Sequence, residues 1–295
     1  MAPDRTPARL PPPLTPPLSG ADLDPATIAQ RKQTAARAAA ELVLDGMTIG
    51  LGTGSTVAYL LAALGERSDE LRQTRCVATS PATAATARSL GLHVGELDEV
   101  GELDLAIDGA DQVDPDCWLI KGGGGAHTRE KIVACAARRF VVIVSVEKLV
   151  SRLSPPIPLE LLRFGSQRTL SELGQARLRD VVERETDRSA GAGAGETEDR
   201  RMVDEATGRQ AAVSPDGNLL AWYDGPFADA RLLAARLAQT PGVVEHGLFA
   251  PELVSEVLIA GGDGLTRRAG GKSVAGPDAE RPGCGPRPSC GAKLM

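Results

Sequence analysis

The chain has 295 residues, and 42% of them are hydrophobic, which is enough for one large domain or two modest ones with a real core. Only 3% of the residues are aromatic, so we expect that core to consist of alanine, valine, leucine and isoleucine. The formal net charge of −6 argues against a nucleic-acid-binding protein, because such proteins usually carry a basic excess.

The cysteine content and the lack of a long apolar run favour a cytoplasmic location. The five cysteines are an odd number and form no Cys-x-x-Cys pair, so we expect neither a disulfide framework nor a zinc site. No apolar run reaches the roughly 18 residues that a membrane-spanning helix needs, and the chain does not start like a signal peptide. Residues 1–22 are proline-rich and are predicted to be a disordered extension; an organellar targeting role for them stays open.

Strands and helices alternate between residues 23 and 150. A first helix is predicted from Asp24-Pro25 to Asp45-Gly46, because Asp and Pro suit a helix start and Gly suits a helix end. The other predicted elements are strands Met47 to Leu51, Arg75 to Thr79, Leu103 to Ile107 and Phe140 to Val144, and helices Val57 to Leu64, Ala82 to Leu90 and Thr128 to Arg138. This alternation predicts an α/β fold with a doubly wound, mostly parallel (Rossmann-like) sheet, which binds ligands beyond the carboxyl ends of its strands.

The pattern changes after about residue 150. A second, smaller α+β domain is predicted for residues 151–250, with a flexible insertion near 186–200, where glycine, alanine and charged residues leave little to bury. Residues 251–262 are expected to return to the first domain and to contain the last strand, Val257 to Ala260. Residues 263–295 lack apolar periodicity and are predicted to be a disordered tail.

The segment Gly52-Thr53-Gly54-Ser55-Thr56 separates a predicted strand from a predicted helix. Glycines let the backbone approach an anion, the N–H groups at a helix start are unpaired, and three hydroxyls add donors. The segment therefore predicts a phosphate-binding loop, although it is neither a P-loop nor a Gly-x-Gly-x-x-Gly motif. The alternative is a tight turn followed by an ordinary helix cap.

The segment Asp108-Gly109-Ala110-Asp111 places two carboxyl groups at the end of a predicted strand. Two neighbouring carboxyls can move protons on sugar hydroxyls, because repulsion and burial separate their pKa values. The alternative is a pair of helix caps or solvated loop acids.

The segment Lys121-Gly122-Gly123-Gly124-Gly125 weakens any regular element, since four glycines stand in a row. Such a loop can wrap a ligand and point N–H groups at developing negative charge, and Lys121 adds a full positive charge. The alternative, a flexible linker, fits poorly between two apolar elements of one sheet.

Glu130 follows in the first turn of the next predicted helix, within Thr128-Arg129-Glu130-Lys131. A carboxylate held there is a candidate general base, and the alternative is a first-turn glutamate favoured by the helix dipole. Lys148, considered alone, is typical of a surface lysine. The histidines His93, His127 and His246 are not at metal-ligand spacing, so we expect no metal; His127 adjoins the glycine loop.

Together, these segments resemble the type A ribose-5-phosphate isomerases. The resemblance rests on GLGTGSTV, TSPATAATARSLGL, DLAIDGADQVDPDCWLIKGGGGAHTREKIVA and PGVVEHGLF, and runs from about residue 25 to about residue 262 without the middle insertion. It implies an aldose–ketose isomerase of the non-oxidative pentose phosphate pathway. Such an enzyme takes a pentose 5-phosphate, uses no cofactor, and forms homodimers or homotetramers.

The resemblance also implies roles for individual residues. Glu130 would move the proton between C1 and C2, Asp108 and Asp111 would bind sugar hydroxyls and assist ring opening, and Lys121 would stabilise the enediolate. The residues implied to bind substrate are Lys32, Thr53, Gly54, Ser55, Thr56, Gly109, Ala110, Gly122, Gly123, Gly124 and Lys148.

The sequence departs from the family pattern at three motifs, and its middle insertion and both tails are additional to that pattern. Ser145 stands where the family usually has an acidic residue, Ser214-Pro215-Asp216-Gly217-Asn218 replaces Thr-Asp-x-Gly-Asn, and His127 replaces an apolar residue. These changes bear on the surroundings of Lys148 and on oligomer contacts, and they leave the implied acids, base and lysine in place.

The sequence leaves other functions as alternatives. A sugar-phosphate-sensing module would bind without turnover, but no helix-turn-helix precedes residue 25 and the candidate base Glu130 is present. An amino-sugar phosphate deaminase would need a histidine here, where only His127 is available. A CoA transferase would need a nucleophilic glutamate in another motif.

Overall fold

The computed structural model describes residues 24–180, 201–203 and 210–272. The predicted N-terminal extension, the predicted insertion near 186–200 and the predicted tail beyond residue 272 lie outside the described residues. Within the described part of the chain, no helix is long and apolar enough to cross a membrane.

The described residues form sixteen strands and seven α-helices. The strands are β1 (Thr48–Leu51), β2 (Arg75–Ala78), β3 (His93–Gly95), β4 (Leu103–Asp108), β5 (Gln112–Val113), β6 (Leu119–Ile120), β7 (Ala137–Ser145), β8 (Ile157–Leu161), β9 (Ala176–Leu178), β10 (Arg201–Val203), β11 (Gln210–Ala212), β12 (Leu219–Tyr223), β13 (Val243–His246), β14 (Leu248–Phe249), β15 (Glu256–Gly261) and β16 (Gly264–Ala269). The helices are α1 (Pro25–Ala40), α2 (Ser55–Gly65), α3 (Pro81–Ser89), α4 (Leu97–Val100), α5 (His127–Ala136), α6 (Ser166–Leu173) and α7 (Ala230–Gln239).

The main sheet has the strand order β16-β15-β7-β4-β1-β2-β3. Only β16 is antiparallel to its neighbour, so the predicted α/β class with a mostly parallel sheet is confirmed. After β1 the chain adds β2 and β3 on one side, and it then returns to place β4 on the other side. The carboxyl ends of β1 and β4 therefore open a crevice at the point where the strand order reverses, which is where such sheets bind ligands.

The main sheet is covered by helices on both faces. On one face α1 packs against α2, and small side chains such as Ala35, Ala36 and Ala39 are fully buried, so the helices and the sheet can approach closely. On the other face α5 packs against β4 and β7, over a cluster that contains Phe140 and Phe249. The rest of the core is mostly valine, leucine, isoleucine and alanine, as the composition predicts, with Cys76, Cys117 and Tyr223 in addition.

The described residues form three smaller sheets, one of which is the antiparallel pair β10-β11. The strands β13-β8-β12-β9 form an antiparallel sheet, whose side chains share a core with α6 and α7. A three-stranded sheet, β14-β6-β5, joins the two parts of the chain, because β6 precedes residue 150 and β14 follows the second sheet. The division into domains at 23–150 and 151–250 stays a prediction.

The first helix is shorter than predicted, since α1 ends at Ala40 and not at Asp45. The N–H groups of Leu42 and Val43 bond to carbonyls three residues back, which tightens the chain, and Val43 turns into the core. These two residues extend the apolar pattern without extending the helix. Asp24 stands at the helix start but makes no side-chain capping bond.

The C-terminal segment corrects another prediction. The strand predicted at Val257 to Ala260 is β15, which rejoins the main sheet beside β7 as expected. It is not the last strand, because β16 pairs with it, so the prediction of a disordered tail from residue 263 was wrong for residues 264–269. Almost every side chain of β16 is exposed, so the strand has no apolar pattern; a two-residue turn at Gly262-Asp263 returns the chain, and backbone pairing holds it.

Candidate active site

The turn after β1 meets the end of β4 at the crevice. The N–H of Gly52 donates to the carbonyl of Ile107 at 3.0 Å, and the N–H of Thr53 donates to Asp108 Oδ1 at 3.1 Å. A side chain on Gly52 would place its Cβ 1.9 Å from the Asp108 carboxyl group. Glycine is therefore required at this position, because the turn and the acid lie in direct contact.

Three buried charged residues meet below this turn. Lys121 Nζ lies 2.8 Å from Asp108 Oδ2 and 3.1 Å from Glu130 Oε2, and it donates to the carbonyl of Gly109 at 2.6 Å. Asp108, Lys121 and Glu130 are each no more than 4% exposed. Lys121 follows β6, Glu130 lies in α5 and Asp108 ends β4, so three separate elements bring the cluster together.

Burial and mutual charge shift the pKa values of this cluster. Burial, and then the neighbouring charge of Asp108, raise the pKa of Glu130 to about 8, although Lys121 opposes the shift. Burial also raises the pKa of Asp108, again against Lys121. For Lys121, burial would lower the pKa, but the charges of Asp108 and Glu130 outweigh it and raise the pKa. The cluster thus pairs an always-charged lysine with a carboxyl group able to exchange a proton near neutral pH.

The glycine loop after Lys121 is held from two sides. The N–H of Gly123 donates to Asp111 Oδ2 at 2.9 Å. Gly122 has a φ of 111°, and a Cβ there would lie 2.7 Å from Nδ1 of His127. Only glycine fits at this position, because the loop backbone lies directly against the buried imidazole ring. His127 thus packs behind the loop, and burial lowers its pKa to about 3, which leaves the ring neutral at physiological pH.

The opposite end of the crevice carries positive charge. Lys32 Nζ of α1 donates to Ser55 Oγ, the first residue of α2, at 2.9 Å. Burial, and then the charge of nearby Lys148, lower the pKa of Lys32. Two lysines that repel each other beside the free N–H groups of a helix start form a site suited to an anion.

A single cavity joins the two ends. It is lined by Lys32, Thr53, Gly54, Ser55, Thr56, Val57, Gly109, Ala110, Asp111, Lys121, Gly122, Gly123, Gly124, Glu130 and Lys148. The structure thus brings together every predicted site residue except Asp108, which lies behind the wall and bonds to Lys121. Val57 lines the cavity without having been predicted, because an apolar helix residue carries no chemical signal.

A group of hydroxyls that was not predicted from the sequence lies behind the candidate phosphate-binding loop. Thr53 Oγ1 lies 2.7 Å from Thr79 Oγ1, and Thr83 Oγ1 donates to the carbonyl of Gly52 at 3.0 Å. Ser80 Oγ donates to Thr83 Oγ1 at 2.9 Å and caps α3. The one available signal was a run of hydroxyl residues at the carboxyl end of β2, next to β1. These contacts fix the turn that carries Thr53.

The histidines and the metal prediction can be placed on the structure. None of the three histidines belongs to the cavity lining. Among residues 24–180, 201–203 and 210–272, no three His, Cys, Asp or Glu side chains group in a way that could hold a metal ion.

The sequence matches a known protein family. Residues 75–264 match the family model described as ribose 5-phosphate isomerase A (phosphoriboisomerase A). A ribose-5-phosphate isomerase A of Ruegeria pomeroyi is 43% identical over 242 residues, which cover 80% of this chain and 86% of the relative. One of Lacticaseibacillus paracasei is 42% identical, over 77% of this chain and 91% of the relative.

Solved structures give the same result. The ribose 5-phosphate isomerase A of Methanocaldococcus jannaschii superposes with a TM-score of 0.68 at 33% identity, over 81% of this chain and 98% of that one. A D-ribose-5-phosphate isomerase in complex with phospho-erythronic acid gives a TM-score of 0.71 at 31% identity, over 82% and 99%. These matches show that the chain belongs to the ribose 5-phosphate isomerase A family.

Proposed function

We propose that this protein interconverts D-ribose 5-phosphate and D-ribulose 5-phosphate by proton transfer through an enediolate. The observation that carries the proposal is the cavity with a buried Glu130–Lys121 pair at one end and Lys32, Ser55 and Lys148 at the other. A phosphate bound at the cationic end would direct the sugar carbons toward the carboxyl group. Fixing the substrate at a distance from the reacting bond is an efficient way to orient it.

The reaction balances with the groups present. The Glu130 carboxylate takes the proton from C2 of the open-chain aldose, and the electron pair forms the C1–C2 double bond as the O1 oxygen becomes negative. Lys121 and the N–H groups of Gly122 and Gly124 stabilise that charge. Glu130 then returns the proton to C1, while the proton of the O2 hydroxyl passes to O1, so that O2 becomes the carbonyl and O1 the hydroxyl of the ketose.

The two aspartates have different positions and, we propose, different roles. Asp111 lines the cavity, so it is the carboxyl group that meets sugar hydroxyls and assists ring opening. Asp108 lies behind the wall and accepts hydrogen bonds from Lys121, Thr53 N–H and Gly109 N–H. Asp108 therefore acts through Lys121, as a positioning residue that keeps the ammonium group aimed at the substrate.

A direct assay tests the function. Purified protein incubated with ribose 5-phosphate should form ribulose 5-phosphate, with and without EDTA, because the mechanism needs no metal or organic cofactor. A sugar-phosphate-sensing module would bind the compound without forming product. Absence of product from folded protein that binds the substrate would favour the sensor, and strict dependence on added metal would refute the cofactor-free mechanism.

The remaining expectations are a cytoplasmic location and a homodimer or homotetramer without nucleic-acid or membrane partners. Sedimentation of the purified full-length protein would measure the oligomeric state.

A further inference from the structure

The helix that carries Glu130 starts without a cap of its own. The residue before α5 is Ala126, and no side chain of α5 caps its first turn. Helix starts leave N–H groups unpaired and fray easily unless other groups hold them. Because Glu130 lies in this first turn, a loose helix start would move the proposed base.

The second sheet holds this turn. Thr128 Oγ1 donates to Glu160 Oε2 of β8 at 2.5 Å. Arg129 makes a two-pronged ion pair with Asp216 at 2.7 to 3.0 Å. The two residues that immediately precede Glu130 thus contact the second sheet or the turn before β12, and Lys131, which follows it, donates to Glu245 and to the carbonyl of His246 in β13.

Glu160 is the better-built of the two contacts. Its side chain belongs to a residue that is 1% exposed, and its Oε1 accepts from Ser214 Oγ at 2.7 Å and Asn218 Nδ2 at 2.8 Å. Both carboxyl oxygens are therefore engaged, which a buried carboxyl requires. The Arg129–Asp216 pair is more than one-third exposed on both sides, and such pairs contribute little.

We propose that Glu160 is a positioning residue for the reaction. Together with Ser214 and Asn218, it fixes the first turn of α5 through Thr128, and so holds the Glu130 carboxyl at the reacting carbons. This inference rests on the proposed function. It makes the second sheet part of the catalytic apparatus, although no residue of that sheet lines the cavity.

The position of Glu160 predicts different effects of its loss on kcat and on KM. The cationic end of the cavity is built from α1, α2 and the segment after β7, none of which contacts Glu160 through the hydrogen bonds above. Loss of the Glu160 contact should therefore lower kcat and leave KM nearly unchanged. A contact that served stability alone would change the unfolding temperature without lowering kcat.

The experiment compares variants of the full chain with ribose 5-phosphate as substrate. Thr128→Val removes the hydroxyl at constant shape, and Thr128→Ser restores it. We expect Thr128→Val and Glu160→Gln each to lower kcat about tenfold with KM within about twofold, because small displacements of a reacting group are costly. The kcat of the double variant should be no lower than that of the less active single variant, since both substitutions act on the same contact. Thr128→Ser should recover most of the activity.

Arg177→Met is the matched control, because Arg177 forms an exposed ion pair with Asp224 on the same sheet, and its kinetics should equal wild type. A folded Thr128→Val variant with the kcat of wild type would overturn the inference. This test does not depend on whether Glu160→Gln folds. Wild-type protein that makes no ribulose 5-phosphate would overturn the proposed function and this inference together. Active wild type with a fully active Thr128→Val would overturn the inference alone.

Discussion

At the scale of residues, the central feature is one buried lysine shared by two buried carboxyl groups. Asp108 and Glu130 both lie within 3.1 Å of Lys121, so the cluster holds more negative than positive charge when both acids are ionised. That excess, added to burial, explains why the pKa of Glu130 is raised and why its proton is available for exchange near neutral pH.

The pH dependence of kcat/KM follows from this shift. A general base works when it is ionised, and the pKa of Glu130 in the folded protein is raised to about 8. We therefore expect kcat/KM to rise with pH through that region, apart from any step near about pH 6 caused by the substrate phosphate. Initial rates between about pH 5 and 9 would measure it. A profile without any rise above the phosphate step would contradict the shift.

The contact between Gly52 and Asp108 predicts a strong effect of one methyl group. In Gly52→Ala the new Cβ would overlap the Asp108 carboxyl, and overpacking typically costs about 1 to 3 kcal/mol. We expect kcat/KM to fall about tenfold or more as Asp108 and Lys121 move. Gly95→Ala in β3 is the control, because a Cβ there meets only ordinary contacts. Equal activity of the two variants would exclude the proposed role of the close contact.

The sequence proposed Glu130, Lys121 and Asp111 as site residues, but each had a structural alternative when taken alone, and only the family resemblance gave them roles; all three line the cavity. It gave Asp108 and Asp111 the same role, because the sequence does not show which of the two is buried beside Lys121 and which lines the cavity. It missed Thr79 and Thr83 because a hydroxyl just after a strand or in the first turn of a helix looks the same in the sequence whether it supports a site or faces solvent.

At the scale of elements, α1 carries one side of the cationic end. Arg31, next to Lys32, forms an ion pair with Glu147, next to Lys148, so a single pair ties α1 to the segment after β7. The adjacent lysines are thereby held on the two sides of the anion site. The Arg31–Glu147 pair could not be predicted from the sequence, because it depends on how the helix lies across the sheet.

Arg31→Met should weaken phosphate binding, because it removes a positive charge and releases α1 from Glu147. We expect KM for ribose 5-phosphate to rise about fivefold while kcat changes less than twofold, as for a lost binding contact. Arg37→Met, on the same helix but in a long, exposed pair with Glu66, should behave like wild type. A kcat effect with constant KM would show that the pair acts on the chemical step instead.

At the scale of the whole molecule, the alternation of strands and helices was sufficient to predict the main sheet. The pairing of β6 with β14 was not predictable, because two-residue strands carry no pattern. Strand β16 was not predicted for a similar reason. Its backbone pairs with β15, but its side chains face solvent and show no apolar pattern. Chain segments that are distant in sequence therefore complete both the main sheet and the support of Lys121.

The edge strand predicts a stability effect. A chain that ends at Gly262 loses the β15–β16 pairing and the bond from Arg268 to the carbonyl of Asp114. Each such hydrogen bond contributes about 0.5 to 1.5 kcal/mol, so we expect the unfolding midpoint to fall by about 5 °C or more. A chain that ends at Lys272 keeps β16 and should melt like the full chain. Equal melting of both truncations, measured by circular dichroism, would show that β16 adds nothing to the fold.

The most direct measurement is the kcat of Glu130→Gln with ribose 5-phosphate, since glutamine fills the same space but cannot take the proton. The proposed mechanism predicts that kcat falls about 100-fold or more while substrate still binds. Turnover close to that of wild type would mean that another group moves the proton, and the cluster around Lys121 would need a different explanation.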